Sequence, residues 1–345
     1  MAKVLVISGG AQTMVQDLGR IRYQKMGMPV AGVMDNYAAR CANILVGNSE
    51  NAALLEAVLL GPELKFLDKS IVAVTGADMS AEINGVKIKM WKSYLINSGD
   101  VLKLYGAKSG IRAYIAFSGG IDVPLVMDSC STYIKAGIGG FKGRALKSGD
   151  ELNINDVPIH SIKELNGNFI PSYGGNIVLQ AVPGPHTEYF SHEGNESFFT
   201  QTYTVGSRSD RMGIFLEGEQ IELKNETSDI LSSAILMGSI QITNDRTPVI
   251  LMADRQTTGG YAQIATVITP DLPRAAQAKA GDKITFQRMS VEEARKLYIE
   301  YEQKIAAVKD GLGSGMIVKS LSTQNLHLNG DLYKVIIEET TKSSN

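Results

Sequence analysis

Apolar residues in this chain come mostly in short runs, each cut off by a turn before a helical stripe is complete. Ile71-Val-Ala-Val-Thr75 leads into Gly76-Ala77-Asp78. Glu82-Ile83 and Val86-Lys-Ile88 flank Asn84-Gly85, the dipeptide best suited to the left-handed backbone of a two-residue hairpin. Asp100-Val-Leu-Lys-Leu-Tyr105 and Arg112-Ala-Tyr-Ile-Ala-Phe117 follow in the same style. This spacing predicts a mainly β protein, and 35 glycines suit its many turns. Two helices are well signalled. Asp35 can cap one whose apolar positions Ala38, Cys41, Ala42, Leu45 and Val46 share a face, ending at Gly47-Asn48. Ser290 and Glu293 form a capping box before a charged helix running to about Asp310. Asn329-Gly330-Asp331, between Leu326-His-Leu and Leu332-Tyr-Lys-Val-Ile-Ile337, predicts a C-terminal hairpin.

A length of 345 residues suggests about two domains. Polar sequence over Asn153–Tyr173, with Pro158 and Pro171, marks the boundary. We read 1–160 as a first subdomain, 170–290 as a second, and 290–345 as a C-terminal helix and hairpin. The halves are loosely alike, each with an early Asp/Arg/Gly cluster and later Gly-Asp turns. The balance of 34 basic against 36 acidic side chains gives no footprint for nucleic acid or an anionic membrane. The start, Met1-Ala-Lys-Val-Leu-Val-Ile7, reads as a first strand and is too short for a signal peptide or a membrane span. Cys41 and Cys130 make no disulfide framework, so the expectation is a cytoplasmic protein.

Phosphate-loop spacing is absent. The cluster Gly137-Ile-Gly-Gly-Phe-Lys-Gly143-Arg144 lacks both the spacing and the hydroxyl. The four histidines are scattered, and no metal site is expected. Cys130 has no histidine assigned beside it by sequence and reads as a bystander thiol. His186, at the rigid corner Pro183-Gly-Pro185, reads as structural.

The chemistry concentrates in polar clusters that interrupt β sequence. After the apolar run Val249-Ile-Leu-Met252 come an acid, a guanidinium, an amide, two hydroxyls and two glycines, before a second apolar run resumes at Ile264. Polar groups at the end of a buried strand are costly unless they pair or bind something, and paired glycines admit close approach of a ligand. In Val15-Gln-Asp-Leu-Gly-Arg20, Asp17 and Arg20 either pair with each other or turn the guanidinium toward an anion. Asp35 either caps its helix or orients a ring N–H.

Taken together, the clusters resemble a known family. Val15–Arg20, Ala31-Gly-Val-Met-Asp35, Ala42–Asn48, Gly119-Gly120-Ile, Gly139-Gly140-x-x-Gly143-Arg144, Pro183-Gly-Pro185, Asp210-Arg-Met-Gly213 and Ala253-Asp-Arg-Gln-Thr-Thr-Gly-Gly260 look like the biotin-dependent carboxyltransferase-like family. Its members include the C subunit of bacterial 5-oxoprolinase, the so-called allophanate hydrolase subunit 2, and the carboxyltransferase domain of urea carboxylase. The resemblance runs from about residue 3 to about residue 290. It implies two tandem cyclophilin-like β-barrel subdomains. A stand-alone chain of this length is similar to the 5-oxoprolinase member, which implies a complex with A-like and B-like proteins of that enzyme. The complex uses ATP to open the lactam of 5-oxo-L-proline to L-glutamate, and no cofactor is expected in this chain. Two alternatives stay open: a biotin-dependent carboxyltransferase component acting on urea or a related amide, and a non-catalytic regulator that binds a B-like kinase-inhibitor protein.

On the lactamase reading, Arg255 faces the substrate carboxylate. Gln256, Thr257, Thr258 and the N–H groups around Gly259-Gly260 meet developing oxyanion charge. Asp35 or Asp17 transfers a proton or orients the ring N–H. Tyr261, Arg20 and Arg211 complete the expected binding set. Two departures stand out. Asp128-Ser129-Cys130-Ser131-Thr132 replaces the Gly-Ser-Arg-Ser-Thr of many relatives, so no anion-binding arginine carries over there. Ala31 stands where relatives often have serine.

Overall fold

The computed structural model describes residues 1–156, 161–312, 316–328 and 331–342. Strand exceeds helix, 38% against 20%, which makes the protein mainly β as its spacing predicts. The chain divides into two compact units. One holds Met1–Leu18, Asn36–Ser172 and Lys304–Asn345; the other holds Gly19–Asp35 and Tyr173–Gln303. Residues 19–35, which the sequence reading places in the first subdomain, therefore cluster with the second, and the C-terminal residues from Lys304 cluster with the first.

In the first unit, apart from the C-terminal hairpin, the strands lie in two sheets. One runs in the order Glu151–Ile154, Ala2–Ser8, Glu63–Phe66, Val101–Lys103, Glu82–Ile83 and Val86–Lys87. The other runs Gln12–Gln16, Leu54–Val58, Ser109–Phe117, Ser70–Asp78 and Ser93–Ile96. Ser70–Asp78 is buried along nearly its whole length, as its continuous apolar run requires of an inner strand. Val6, Leu55, Phe66, Val72, Ile115 and Phe117 belong to the core of this unit. The hairpin turn forms as expected, with φ of 52° at Asn84 and 77° at Gly85. The first helix spans Asn36–Leu45 and stops where Gly47 turns left-handed and the Asn48 N–H bonds the Asn43 carbonyl.

In the second unit the expected barrel is closed. Its strands follow in the order Asn176–Pro183, Gln263–Val267, Ser239–Ile242, Pro248–Leu251, Gly213–Glu217, Tyr203–Val205 and Lys283–Arg288, and the last pairs in parallel with the first. Leu179, Tyr203, Ile240, Ile264 and Phe286 lie in its core, with Phe198 from the helix His192–Thr200 stacked on Phe286. A two-stranded ribbon, Asp229–Ala234 with Thr258–Tyr261, forms a separate small sheet.

The long helix Val291–Gly311 starts on the predicted capping box: the Glu293 N–H donates to Ser290 Oγ, and the Ser290 N–H donates to Glu293 Oε2. Met316–Leu328 and Asp331–Lys342 make the C-terminal hairpin, whose turn residues Asn329 and Gly330 lie outside the described residues. Among the described residues no helix is long and apolar enough to cross a membrane.

Candidate functional site

The strand Pro248–Leu251 ends in a tight turn in which the Arg255 N–H donates to the Met252 carbonyl at 3.2 Å. Its neighbour, Gly213–Glu217, is preceded by Asp210-Arg211-Met212, and the ladder between them runs on past both strand ends. The Met252 N–H donates to the Met212 carbonyl (2.8 Å) and the Asp254 N–H to the Arg211 carbonyl (2.9 Å). Two clusters 43 residues apart in sequence thereby lie side by side.

Arg211, expected to bind substrate, is instead engaged by the protein. Its Nε donates to Asp254 Oδ2 (3.0 Å), and its Nη2 donates to Asp254 Oδ1 (2.9 Å) and to the Gly32 carbonyl (2.6 Å). A planar fork matched to a carboxylate is the strong form of ion pair. Here it also fastens the 19–35 segment to the unit, helped by the Ala31 N–H on the Ala253 carbonyl. Ala31 and Gly32 both take left-handed backbone, φ 53° and 84°, to make this approach.

Arg255 differs. Its side chain is buried, at 5% exposure, yet Nη1 makes a single bond, 3.1 Å to the Met252 carbonyl. Its Nε is buried without an acceptor, and no carboxylate among the described residues pairs with it. Burial alone lowers its pKa from the ordinary arginine range to about 10. A cation held out of water without a counter-charge is costly, and an anionic ligand relieves that cost.

The residues after it depart in part from expectation. Gln256 and Thr258 are exposed and Thr257 half-buried, and the side chains of all three make no hydrogen bond among the described residues. Gly259 and Gly260, read as an open ligand-facing turn, lie within the strand of the ribbon, with Gly259 opposite Ser233. A Cβ on Gly259 would fall 2.4 Å from Ile235 Cδ1 and 2.6 Å from Gln241 Nε2. This glycine therefore serves packing. Buried Gln241 and Gln263 tie the ribbon to the barrel: Gln241 Nε2 donates to the Tyr261 carbonyl, and Gln263 Nε2 donates to Ser233 Oγ and the Ala234 carbonyl.

Asp35 is fully buried in the same unit, and its Oδ2 accepts from Tyr173 Oη (3.0 Å) and Gln277 Nε2 (2.9 Å). Arg20 is 1% exposed in this unit, its main-chain N–H bonded to the Val30 carbonyl. Asp17 belongs to the first unit. It accepts from Ser129 Oγ and Ser131 Oγ on Oδ1 and from the Cys130 N–H on Oδ2. Its carboxylate organises the Asp128–Thr132 loop, where this chain departs from the family pattern. Tyr173 and Gln277 were missed by the sequence reading. Gln277 is 242 residues from Asp35, and no local signal marks it. His186 accepts the Gln263 N–H on Nδ1, in keeping with a structural role. No group of three His, Cys, Asp or Glu side chains among the described residues is arranged to hold a metal.

Residues 26–288 match the carboxyltransferase domain family, subdomains A and B. The chain belongs to this family. It is 38% identical over 284 residues to the C subunit of 5-oxoprolinase from Haemophilus influenzae, covering 82% of this chain and 90% of that one. It is likewise 38% identical to the C subunit of the Escherichia coli 5-oxoprolinase, over 84% and 93% of the two chains. Among solved structures, the urea amidolyase of K. lactis superposes with a TM-score of 0.86 at 29% identity, over 93% of this chain. This chain spans 21% of that much longer protein.

Proposed function

We propose that this carboxyltransferase-family chain is the C-type component of an ATP-dependent 5-oxoprolinase, which opens 5-oxo-L-proline to L-glutamate together with A-like and B-like subunits. The observation that carries the reading is Arg255, a buried guanidinium with one carbonyl bond and no counter-charge among the described residues. Its fork suits the ring carboxylate of the substrate. The identity to two 5-oxoprolinase C subunits over nine-tenths of their length supports the same assignment.

The five-membered lactam resists simple hydrolysis, so ATP activates it by phosphorylating the amide oxygen. This sequence has no phosphate loop, and the nucleotide chemistry belongs to the partner proteins. In this chain Arg255 anchors the carboxylate, while the hydroxyls of Thr257 and Thr258 and the amide of Gln256 stabilise developing oxyanion charge. Asp35, held by Tyr173 and Gln277, orients the ring N–H or moves its proton. Arg211 and Asp254 position the turn from which Arg255 projects.

The similarity to urea amidolyase has a chemical counterpart: urea, the ureido ring of biotin and the lactam all present an N–H beside a C=O. The test is to reconstitute the chain with its A-like and B-like partners and measure ATP-dependent glutamate release from 5-oxoproline. Arg255→Lys keeps the charge, loses the fork and raises KM. Thr257→Ala and Thr258→Ala lower kcat. Normal turnover in all three would place the chemistry elsewhere, and biotin-dependent carboxylation of urea without lactam opening would replace the reading.

A further inference from the structure

The glycine cluster Gly137-Ile-Gly-Gly-Phe-Lys-Gly143 plays no part in the reading above, and it lies wholly in the first unit. The chain passes through left-handed backbone at Gly137, Gly139, Gly140, Lys142 and Gly143, with φ between 52° and 69°. The Gly143 N–H closes one turn on the Gly139 carbonyl at 2.9 Å, and the Arg144 N–H bonds the Phe141 carbonyl at 3.3 Å. The N–H groups of Gly139, Gly140, Phe141 and Lys142 donate to no acceptor among the described residues, although Gly139 and Gly140 are buried.

Packing explains two of the glycines. A Cβ on Gly140 would fall 1.9 Å from Thr132 Oγ1, and one on Gly143 would fall 1.9 Å from the Gly137 carbonyl oxygen. That accounts for missing side chains and leaves the four donors unexplained. Main-chain N–H groups in buried segments are nearly always paired, so the two buried donors, at Gly139 and Gly140, point to an acceptor supplied from outside, whereas water can serve those of half-buried Phe141 and exposed Lys142.

All four residues line a pocket of about 510 Å³, whose apolar surface comes from Val123, Pro124, Val126, Ile138 and Phe141. Lys142 also lines it, its Nζ 5.0 Å from the centre of the Phe141 ring. Asp122 contributes to the lining and is exposed, so water screens its charge. Main-chain amides in a tight left-handed loop form an anion-binding concavity, and one beside an apolar wall suits a carboxylate on a hydrocarbon tail. The volume is that of a small-molecule site.

We propose that this pocket binds a small monocarboxylate with a branched apolar tail, the carboxylate on the Gly139–Lys142 amides and the tail against Val123, Val126, Ile138 and Phe141. The full chain is titrated with 4-methylpentanoate, with its neutral isostere 4-methylpentanamide, and with inorganic phosphate. Affinity is read by calorimetry and location by the amide resonances of Gly139, Gly140, Phe141 and Lys142. The acid should shift those four resonances and bind about tenfold tighter than the amide, the difference expected of one charge-assisted contact. Phe141→Ala should weaken the acid several-fold while melting is unchanged. Equal binding of acid and amide, or shifts elsewhere in the chain, would overturn the proposal. So would phosphate binding more tightly than the acid, since the tail would then contribute nothing. The ligand comparison uses the unaltered chain and so stands whether or not Phe141→Ala folds.

Discussion

Replacing Arg255 by methionine should make the isolated chain more stable and the reconstituted enzyme inactive. The native guanidinium is buried, and burial pulls its pKa from the ordinary arginine range down to about 10. A depression of this size corresponds to roughly 3 kcal/mol of unfavourable charge burial. Against this stands one hydrogen bond from a charged donor, from Nη1 to the Met252 carbonyl, worth ~1.5–3 kcal/mol. That carbonyl also keeps the Arg255 main-chain N–H, so it is not orphaned by the change. Methionine fills similar space without the charge, and the expected net gain is up to ~1.5 kcal/mol. Urea unfolding of the two isolated chains at pH 7 measures it. The pH dependence has a definite sign. Below the folded pKa of about 10 both folded and unfolded arginine are protonated, and the full penalty is present. Above about 10, up to the ordinary arginine range, the unfolded chain holds more protons, so native stability rises and the advantage of methionine shrinks. Saturating 5-oxoproline should stabilise the native chain within its complex and leave the variant unmoved. A methionine variant that unfolds more easily than the native chain would refute the argument, because Arg255 would then be a structural residue.

Breaking the other guanidinium's partnership should do the opposite: Asp254→Ala strands Arg211 in a buried site and should cost roughly 3–5 kcal/mol in denaturant unfolding, with much of that recovered in an Arg211→Met, Asp254→Ala double variant. Equal losses in single and double variants would show that the pair does not act as a unit. Gly259→Ala drives a methyl into Ile235 and Gln241 and should lower stability by ~1–3 kcal/mol, whereas Gly260→Ala, whose nearest neighbour is 3.6 Å away, should be close to neutral; matched melts of the two decide it. The isolated chain should show no saturable ATP binding in calorimetry, and micromolar affinity would mean that an unrecognised nucleotide site exists.

What was legible in the sequence was local. Asn84-Gly85 specifies a turn by its own backbone preferences, and Ser290 and Glu293 need only each other to start a helix. The position of Arg255 directly after a buried strand was legible as well, because a polar cluster at the end of an apolar run is conspicuous wherever the chain goes next. The errors concern partners brought together by topology. Arg211 looked as available as Arg255, and only the ladder joining the 210–213 and 251–254 segments shows it to be committed to Asp254. Asp17 meets its serine partners 112 and 114 residues away. Gly259 differs from its sequence reading because a glycine required by a neighbour's side chain is indistinguishable, in sequence, from one that makes room for a ligand.

The membership of residues 19–35 in the second unit imposes an order of events during synthesis. Gly32 and Ala31 leave the ribosome early, while their partners Arg211 and Ala253 are made up to more than 200 residues later. At ordinary elongation rates the segment waits ~10–40 s before its docking place exists. The barrel that provides that place pairs its first strand, Asn176–Pro183, with its last, Lys283–Arg288, so its seam cannot close until nearly the whole unit has been translated. An early segment with buried Arg20 and Met34 thus spends the nascent chain's lifetime unsheltered, and slowing translation between residues 35 and 288 should raise the demand for chaperones.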